Sequence, residues 1–179
     1  MIRITGGKHR SRKLETPNVE TTKPTMDKVR AAVFNIVGED IANKKVLDLF
    51  SGSGSYGFEA LSRGATSVTF VDTNKDAVSV IKKNSSILKE TNIEVFCEDV
   101  LSFLNAPKDK YDVVFVDPPY KLEIYEKTLE LLEKNELLRS FSIVVLESDK
   151  DLNISENEHR KLKVYKYGLA KIYVIRYKR

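Results

Sequence analysis

Short β-rich hydrophobic runs alternate with amphipathic segments along the chain from about residue 45 onward. The runs VVFV at Val113–Val116 and IVVL at Ile143–Leu146 are typical of strands buried on both faces, as parallel sheets require. Repeated strand–helix–strand units predict right-handed crossovers and an α/β fold with helices on both faces of the sheet. The predicted strands are Val46–Phe50, Ser67–Asp72, Ile93–Cys97, Tyr111–Asp117 and Ser142–Glu147, and the predicted helices are Tyr56–Arg63, Lys75–Lys89, Val100–Asn105 and Glu123–Asn135.

The C-terminal part departs from this alternation. Leu162–Tyr167 and Ile172–Tyr177 are both β-rich, and Gly168-Leu169-Ala170 lies between them. This arrangement predicts an antiparallel hairpin. We therefore expect a Rossmann-like, mostly parallel seven-stranded sheet that closes with a C-terminal antiparallel hairpin.

The N-terminal part also stands apart from the core pattern. Ile2–Thr5 and Arg12–Leu14 flank a Gly-rich basic turn and predict a small β-hairpin. A helix is then predicted from Pro24 to about Val37, with Thr25 as its N-cap. Residues 1–40 are accordingly expected to form an extension, a hairpin plus a helix, attached to the main domain.

Composition narrows the class of protein. A chain of 179 residues with 41% hydrophobic residues is long enough for one domain with an appendage. No hydrophobic run approaches the roughly 18 residues of a membrane span, and the N-terminus lacks the apolar stretch of a signal peptide, so we expect a soluble, cytoplasmic protein. With 1 Cys and 2 His, an internal disulfide is excluded and no metal site is expected. Cys97 is expected to be a small buried residue.

Charge is distributed unevenly along the chain. Residues 1–30 hold eight Lys and Arg against three acidic residues, and residues 159–179 hold eight against none. The segment 31–158 holds fourteen Lys and Arg against twenty-three acidic residues. Basic ends around an acidic middle suggest a polyanionic partner, although Lys-rich ends also serve simply as solvated surfaces. The charges of the C-terminal run alternate with apolar residues, which favours a structural role there.

A glycine-rich loop follows the first predicted strand. Gly52, Gly54 and Gly57 satisfy G-x-G-x-x-G between a strand and a helix, the context that gives this motif its meaning. Glycines let the backbone turn sharply and let a ligand approach closely. Asp72, at the end of the next strand, is placed to accept hydrogen bonds from both ribose hydroxyls. The pattern predicts a ligand that contains an adenine nucleoside.

Two cofactor classes fit this loop. A dinucleotide presents a pyrophosphate, which binds a bare helix N-terminus. S-adenosylmethionine carries an ammonium and a sulfonium instead, and these favour a nearby acid such as Asp48, four residues before Gly52. A purely structural turn, with Asp48 as a capping residue, is the remaining interpretation.

A second motif, Asp117-Pro118-Pro119-Tyr120, ends the fourth predicted strand. Two prolines cannot continue a sheet, so the chain breaks here and exposes its carbonyl groups. In a doubly wound sheet this break faces the ligand crevice beside the glycine loop. A carboxylate and a free proline carbonyl can together accept hydrogen bonds from one exocyclic amine, and a neighbouring tyrosine can stack on the base.

This combination fits the methylation of a planar aromatic amine. Such an amine is a poor nucleophile because its lone pair is delocalised into the ring. Holding both N–H bonds with acceptors favours a pyramidal nitrogen, and alignment alone can supply about 7–11 kcal/mol. No strong general base is needed, since the transferred methyl group leaves behind an acidic, anilinium-like proton.

The two motifs, Asp48–Gly54 and Asp117–Tyr120, resemble motifs I and IV of class I S-adenosylmethionine-dependent amino-methyltransferases. The whole chain resembles the RsmD family of bacterial 16S rRNA guanine-N2 methyltransferases. The resemblance includes ITGGKHRSRKL, KPTMDKVRAAVFN, DLFSGSGSYGFEALSRGA, FVDPPY and the closing hairpin. It implies that residues 1–40 are a basic RNA-contacting extension and that residues 41–179 are the catalytic domain.

The resemblance also implies roles in binding S-adenosylmethionine, whose product is S-adenosylhomocysteine. Gly52 and Gly54 would lie against the methionine part of the cofactor, with Asp48 beneath them. Asp72 would hold the ribose, and Asp99 would hold the adenine amine. The expected cofactor-binding residues are Asp48, Phe50, Ser51, Gly52, Gly54, Gly57, Asp72 and Asp99.

The implied substrate is a guanine of 16S rRNA in the small ribosomal subunit or its assembly intermediate. The expected catalytic residues, which would hold that guanine, are Asp117, Pro118, Pro119 and Tyr120. The N-terminal segment would contact rRNA, and a monomer is expected. The expected nucleic-acid-binding residues are Arg3, Lys8, Arg10, Arg12, Lys13, Lys23 and Arg30.

Three positions depart from the family pattern. Lys23 and Lys28 stand where arginines are expected, and Asp72 stands where glutamate is common. The charges are kept, so the strength of individual contacts is affected and the family assignment is not. A lysine in place of an arginine weakens a bidentate phosphate contact.

Alternative functions remain at this point. A DNA adenine-N6 or another RNA amino-methyltransferase uses a similar motif IV, but DNA enzymes usually need a target-recognition domain. A non-catalytic rRNA-binding assembly factor would have little reason to retain Asp72 and Asp99 beside a polyanion. A dehydrogenase leaves Asp117–Tyr120 unexplained. His9 is expected to contact a phosphate or solvent.

Overall fold

A computed structural model describes residues 2–18, 24–106, 109–119 and 122–178. The strands are β1 (Ile2–Arg3), β2 (Lys13–Leu14), β3 (Lys45–Leu49), β4 (Ser67–Asp72), β5 (Ile93–Cys97), β6 (Tyr111–Val116), β7 (Leu138–Ser148), β8 (Arg160–Tyr167) and β9 (Ala170–Tyr177). The α-helices are α1 (Pro24–Val37), α2 (Ser55–Ser62), α3 (Lys75–Leu88), α4 (Val100–Asn105) and α5 (Leu122–Lys134), and a 3₁₀ helix spans Gly38–Ile41. None of the helices described is long and apolar enough to cross a membrane.

Strands β3 to β9 form one seven-stranded sheet in the order β5-β4-β3-β6-β7-β9-β8. Strands β3 to β7 pair in parallel, and β9 pairs antiparallel with both β7 and β8. The predicted Rossmann-like, mostly parallel seven-stranded sheet with a closing antiparallel hairpin is confirmed. The strand order reverses between β3 and β6, which places the ligand crevice of a doubly wound sheet at their carboxyl ends.

Two hydrophobic cores lie on opposite faces of the sheet. One core contains apolar residues of α1, α2 and α3, and the other contains those of α4 and α5. In the first core the rings of Phe34 and Tyr56 pack against Phe115, with centroids 5.3 and 5.0 Å from it. These aromatic contacts fix α1 and the start of α2 on the strand that leads to Asp117.

The N-terminal extension packs into the first core. Strands β1 and β2 pair antiparallel, which confirms the small hairpin, and Ile2, Ile4 and Leu14 are buried with residues of the main domain. Its turn contacts the end of α2, where the Lys8 N–H donates to the Ser62 carbonyl at 2.8 Å. The contact is so close that a Cβ added at Gly7 would lie 1.8 Å from the same carbonyl oxygen. The extension and the main domain therefore share one core across the expected boundary at residue 40.

Some local predictions differ from the structure. Helix α1 begins at Pro24, so Thr25 lies within the first turn and not at the N-cap position. Strand β7 begins at Leu138, four residues earlier than predicted, because Leu138 still pairs with Tyr111 across an irregularity in the register. Cys97 is exposed, since it ends the edge strand β5, and the expectation of a buried residue was wrong.

Candidate active site

Five parallel strands bring their carboxyl ends to one edge of the sheet. The glycine loop follows β3, Asp72 ends β4, and Asp99 follows β5. Asp117 follows β6, and Glu147 lies one residue before the end of β7. The structure therefore brings the predicted cofactor and substrate motifs to the same edge, on either side of the switch between β3 and β6.

The glycine loop has an unusual backbone. Phe50, Gly52 and Gly54 have φ values of +55°, +52° and +79°, all in the left-handed region. A Cβ added at Gly54 would lie 2.8 Å from the Phe58 ring and 3.0 Å from Phe70. Glycine at position 54 is therefore required by its left-handed backbone and by the close packing of the loop on the buried rings of Phe58 and Phe70.

Asp48 holds the loop from below. Its carboxylate accepts a hydrogen bond of 2.9 Å from the Gly57 N–H, in the first turn of α2, and its side chain is buried. The capping interpretation that the sequence left open is therefore present in the structure. The third glycine packs closely on the sheet, because a Cβ at Gly57 would lie 2.2 Å from the Phe70 ring.

Asp72 joins the end of β4 to the glycine loop. One oxygen of its carboxylate accepts from the Gly52 N–H at 2.8 Å, and the other accepts from the Asn74 N–H at 2.8 Å. The side chain is half-buried, and an ionised carboxylate has about four acceptor positions. The fixed carboxylate can accept ribose hydroxyls in addition to these two bonds.

Asp99 and the remaining loop residues complete this side of the edge. Asp99 is exposed and caps α4 by accepting from the Ser102 N–H at 2.9 Å. Ser51 is buried and bonds the Val71 carbonyl through its backbone N–H and its hydroxyl, both at 3.1 Å. Ser51 thus supports the loop from within, whereas Phe50 is half-buried against the second core.

The substrate motif begins where β6 ends. Asp117 is half-buried, Pro118 is buried and Pro119 is exposed. Strand β6 stops at Val116, as the two prolines require. Tyr120, the fourth residue of the motif, lies outside the described residues.

A second carboxylate stands beside Asp117. Glu147 accepts a hydrogen bond from the Tyr56 hydroxyl, and its backbone carbonyl accepts one of 2.7 Å from the Tyr125 hydroxyl. Burial, followed by the negative charges of Glu147 and Asp117, raises the pKa of Tyr56 well above its usual value. The cluster of Tyr56, Asp117 and Glu147 was not predicted from the sequence. The available signal was Glu147, an acidic residue at the end of a predicted strand.

Among the predicted RNA-contacting residues that the structure describes, five are exposed and one, Arg30, is buried. Arg3, Lys8, Arg10, Arg12 and Lys13 are all exposed on the N-terminal hairpin. Lys8 pairs with Glu90 at 2.6 Å, and Arg12 donates to the Ile87 carbonyl at 2.9 Å. Lys23 lies outside the described residues.

Arg30 departs from its predicted place on the RNA-binding face. Only 3% of its side chain is exposed, and its guanidinium donates to Glu59 at 3.2 Å, to Asp27 at 2.8 Å and to the Arg3 carbonyl. These contacts leave it no accessible surface for a phosphate. Its role in the structure is to fix α1 against the hairpin and α2.

Glu59 is the centre of this network. It is fully buried in α2 and accepts from the Thr5 N–H at 2.9 Å, the Gly6 N–H at 2.9 Å and the Arg63 guanidinium at 3.0 Å. A buried carboxylate needs such partners to offset the loss of hydration. The sequence analysis overlooked Glu59, whose signal was a single acidic residue within the otherwise apolar run GFEAL.

A second carboxylate attaches the same hairpin to α3. His9 Nε2 lies 2.6 Å from Glu90 Oε1, so His9 contacts a carboxylate and not the expected phosphate or solvent. Burial opposes ionisation of Glu90, but hydrogen bonds from Lys8 and His9 outweigh it and lower the pKa of this group. Within the described part of the chain, no group of His, Cys, Asp and Glu could hold a metal ion.

Comparison with known proteins gives the family. The profile of the family described as "Conserved hypothetical protein 95" matches residues 2–176. The chain is 40% identical over 154 residues to "Ribosomal RNA small subunit methyltransferase D" of Haemophilus influenzae, covering 84% of this chain and 80% of that protein. It is 38% identical over 148 residues to the Escherichia coli K12 protein of the same name, covering 83% and 75%.

A solved structure supports the same assignment. "Putative methyltransferase yhhF from Escherichia coli" superimposes with a TM-score of 0.89 and 32% identity, covering 99% of this chain and 98% of that one. The match therefore includes the N-terminal extension as well as the seven-stranded sheet. The chain belongs to the RsmD family of ribosomal RNA small subunit methyltransferases.

Proposed function

We propose that this protein transfers a methyl group from S-adenosylmethionine to the exocyclic N2 amine of one guanine in 16S rRNA. The observation that carries the proposal is the position of Asp117 across the β3–β6 switch from the glycine loop. One edge of the sheet thereby offers a nucleoside site and an amine-binding site side by side. We call the loops after β3, β4 and β5 the cofactor half of this edge, and the ends of β6 and β7 the substrate half.

The cofactor half fits S-adenosylmethionine by its shape and by its donor set. The left-handed backbone at Gly52 and Gly54 turns the chain sharply after β3, and the carboxylates of Asp48 and Asp72 accept hydrogen bonds from the backbone N–H groups of Gly57 and Gly52. Asp72 would hold the ribose hydroxyls, Asp99 the adenine amine, and Asp48 would lie beneath the methionine part. Once bound, the cofactor supplies an electrophilic methyl group.

The substrate half would orient the amine. The Asp117 carboxylate and the Pro118 carbonyl would each accept one N–H of the guanine amine. The nitrogen then becomes pyramidal, and its lone pair is directed at the methyl group and no longer delocalised into the ring. Tyr120 would stack on the base, a contact worth about 1–3 kcal/mol. Because transfer of the methyl group leaves a positively charged, anilinium-like nitrogen that is acidic, solvent can take its surplus proton, so the site needs no dedicated base.

The N-terminal hairpin would carry the RNA. Its exposed basic residues lie near the C-terminal ends of α2 and α3, to which the hairpin is bound through Ser62, Ile87 and Glu90. Each phosphate contact gives a salt dependence of about −0.7 to −0.9 in log affinity per log salt. We expect the protein to act as a cytoplasmic monomer on the small ribosomal subunit or its assembly intermediate. The expected contacts are Arg3, Lys8, Arg10, Arg12, Lys13 and Lys23.

The test uses S-adenosylmethionine labelled in its methyl group. Small ribosomal subunits from cells lacking the endogenous activity are incubated with the protein, and the RNA is digested to nucleosides for chromatography. Label in N2-methylguanosine is the expected result. Asp117→Ala should give little label. Its matched control is Asp109→Ala, an exposed change at the opposite end of β6, which should label as well as the wild type.

Other products would overturn parts of the proposal. Label in N6-methyladenosine would keep the methyltransferase activity and contradict the guanine assignment. Binding of S-adenosylmethionine without any transfer to ribosomal subunits would contradict the proposed substrate. Absence of cofactor binding would favour a non-catalytic assembly factor.

A further inference from the structure

Glu147 lies next to Asp117 on the neighbouring strand. Strands β6 and β7 pair in parallel with Val116 opposite Leu146, so the next positions on the two strands are Asp117 and Glu147. Neighbouring strands lie about 4.8 Å apart, and paired positions project to the same face of the sheet. Two carboxylates therefore stand side by side in the substrate half.

Glu147 is held at its side chain and at its backbone. The Tyr56 hydroxyl donates to its carboxylate, and the Tyr125 hydroxyl donates 2.7 Å to its backbone carbonyl. The Tyr56 ring is itself fixed, with its centroid 5.0 Å from that of Phe115. Tyr56 of α2, packed on Phe115, thus orients the half-buried carboxylate, while Tyr125 of α5 fixes the backbone of the same residue.

Such a position is costly for a carboxylate. Burial raises the pKa of Glu147, whereas the hydrogen bond from Tyr56 and the charge of Arg30 favour its ionised form. A carboxylate kept in a partly desolvated place and aimed by its neighbours is a strong hydrogen-bond acceptor.

We propose that Glu147 accepts the N1–H of the target guanine while Asp117 holds the adjacent amine, so that the pair selects guanine over adenine. This inference rests on the proposed function. Guanine has a hydrogen on N1 beside its 2-amino group, whereas adenine has a lone pair on N1 and no 2-amino group. A carboxylate facing that lone pair is repulsive, so Glu147 discriminates against adenine as well as binding guanine.

The experiment removes the same contact from the protein and from the substrate. The target guanine, mapped from the labelled product, is replaced by 2-aminopurine in ligated 16S rRNA assembled into small subunits. 2-Aminopurine keeps the 2-amino group and lacks the N1 hydrogen. Initial rates on the guanine and 2-aminopurine subunits are compared for the wild type, Glu147→Ala and Tyr56→Phe.

The expected result is a change in the ratio of the two rates. The wild type should prefer guanine by about tenfold or more, the effect of one charge-assisted hydrogen bond. Glu147→Ala should reduce this preference to about twofold or less, and Tyr56→Phe, which keeps the carboxylate but removes the bond that orients it, should give a preference between those of the wild type and Glu147→Ala. Glu147→Met has a similar length without an acceptor oxygen, and it replaces the alanine variant if that variant does not fold.

A purely structural role for Glu147 predicts a different outcome. Structural damage would slow both substrates equally, so an unchanged ratio in both Glu147 variants would overturn this inference while leaving the proposed function intact. Failure of the wild type to methylate guanine at all would overturn both. The ratio thus separates the two proposals.

Discussion

The two halves of the functional edge are held together in different ways. In the cofactor half, carboxylates bind backbone N–H groups close in sequence, with separations of 9 residues for Asp48–Gly57 and 20 for Asp72–Gly52. In the substrate half, the corresponding separation is 91 residues for Tyr56–Glu147. The supporting N-terminal extension depends on a Thr5–Glu59 contact across 54 residues.

The two halves therefore depend on different parts of the fold. A cofactor site built from local turns can form on any sheet that carries the loop. A base-binding site built from distant elements depends on how α1, α2 and the N-terminal hairpin pack. Helix α2 contributes to both halves, because its Gly57 N–H donates to Asp48 while its Tyr56 hydroxyl donates to the Glu147 carboxylate.

The largest effect is expected for Asp117→Ala. Loss of the acceptor that orients the amine should lower turnover by about 10³-fold or more, because alignment supplies most of the rate. Labelled N2-methylguanosine measures turnover, and filter binding measures affinity for small subunits. If turnover stays within tenfold of the wild type, the amine is held elsewhere and the substrate half is misassigned.

The next effect concerns Glu59. Glu59→Ala leaves the buried Arg30 without its carboxylate partner and should lower the free energy of unfolding by about 3 kcal/mol. Chemical denaturation measures the loss, and the exposed Glu39→Ala is its matched control. We also expect protease cleavage within the N-terminal hairpin to become faster; equal stability of the two variants would show that the network does not fix the extension.

Gly57→Ala tests the contact between the glycine loop and the sheet. The added methyl group would lie 2.2 Å from the Phe70 ring, and overpacking of this kind costs about 1–3 kcal/mol. Thermal unfolding should show the loss, with Ser55→Ala in the same helix as the control. A variant as stable as the wild type would mean that α2 moves away from β4 without cost.

The smallest effect is a pH dependence that arises from Glu90. Its pKa in the folded protein is lower than its ordinary value of 4.5, so its contribution to stability is full above about pH 4.5 and is lost as pH falls through the folded pKa. The free energy of unfolding should therefore fall less steeply between pH 5 and 3 in Glu90→Gln than in the wild type, by under about 1 kcal/mol. Thermal unfolding at each pH measures this difference. Exposed Glu126→Gln is the control, and identical profiles for the two variants would contradict the assignment.

The sequence was sufficient to predict the cofactor half and the order of the elements. Strand alternation and the motifs at Gly52–Gly57 and Asp117–Tyr120 are local signals, and the resemblance to one family extended them to the whole chain. Boundaries shifted mostly by one residue, for example at β3 and β6, because hydrogen-bond pairing and not hydrophobicity decides where a strand ends.

The remainder could not be predicted because it depends on distant contacts. Nothing local distinguishes buried Arg30 from the exposed Arg3 or Arg10, since burial of Arg30 requires Glu59 from another helix. Likewise, Tyr56 and Glu147 meet only after the sheet has formed. The roles of Asp48, Asp72, Asp99 and Asp117 in ligand binding stay predictions, although the structure places all four at one edge.

The most direct test of the two-part edge is calorimetric titration of S-adenosylmethionine into Asp72→Ala, Asp117→Ala and the wild type. Asp72→Ala should weaken binding by about tenfold or more, because it loses charge-assisted hydrogen bonds to the ribose. Asp117→Ala should bind within about twofold of the wild type while remaining inactive. Equal losses of affinity in the two variants would contradict a division of this edge into a cofactor half and a substrate half.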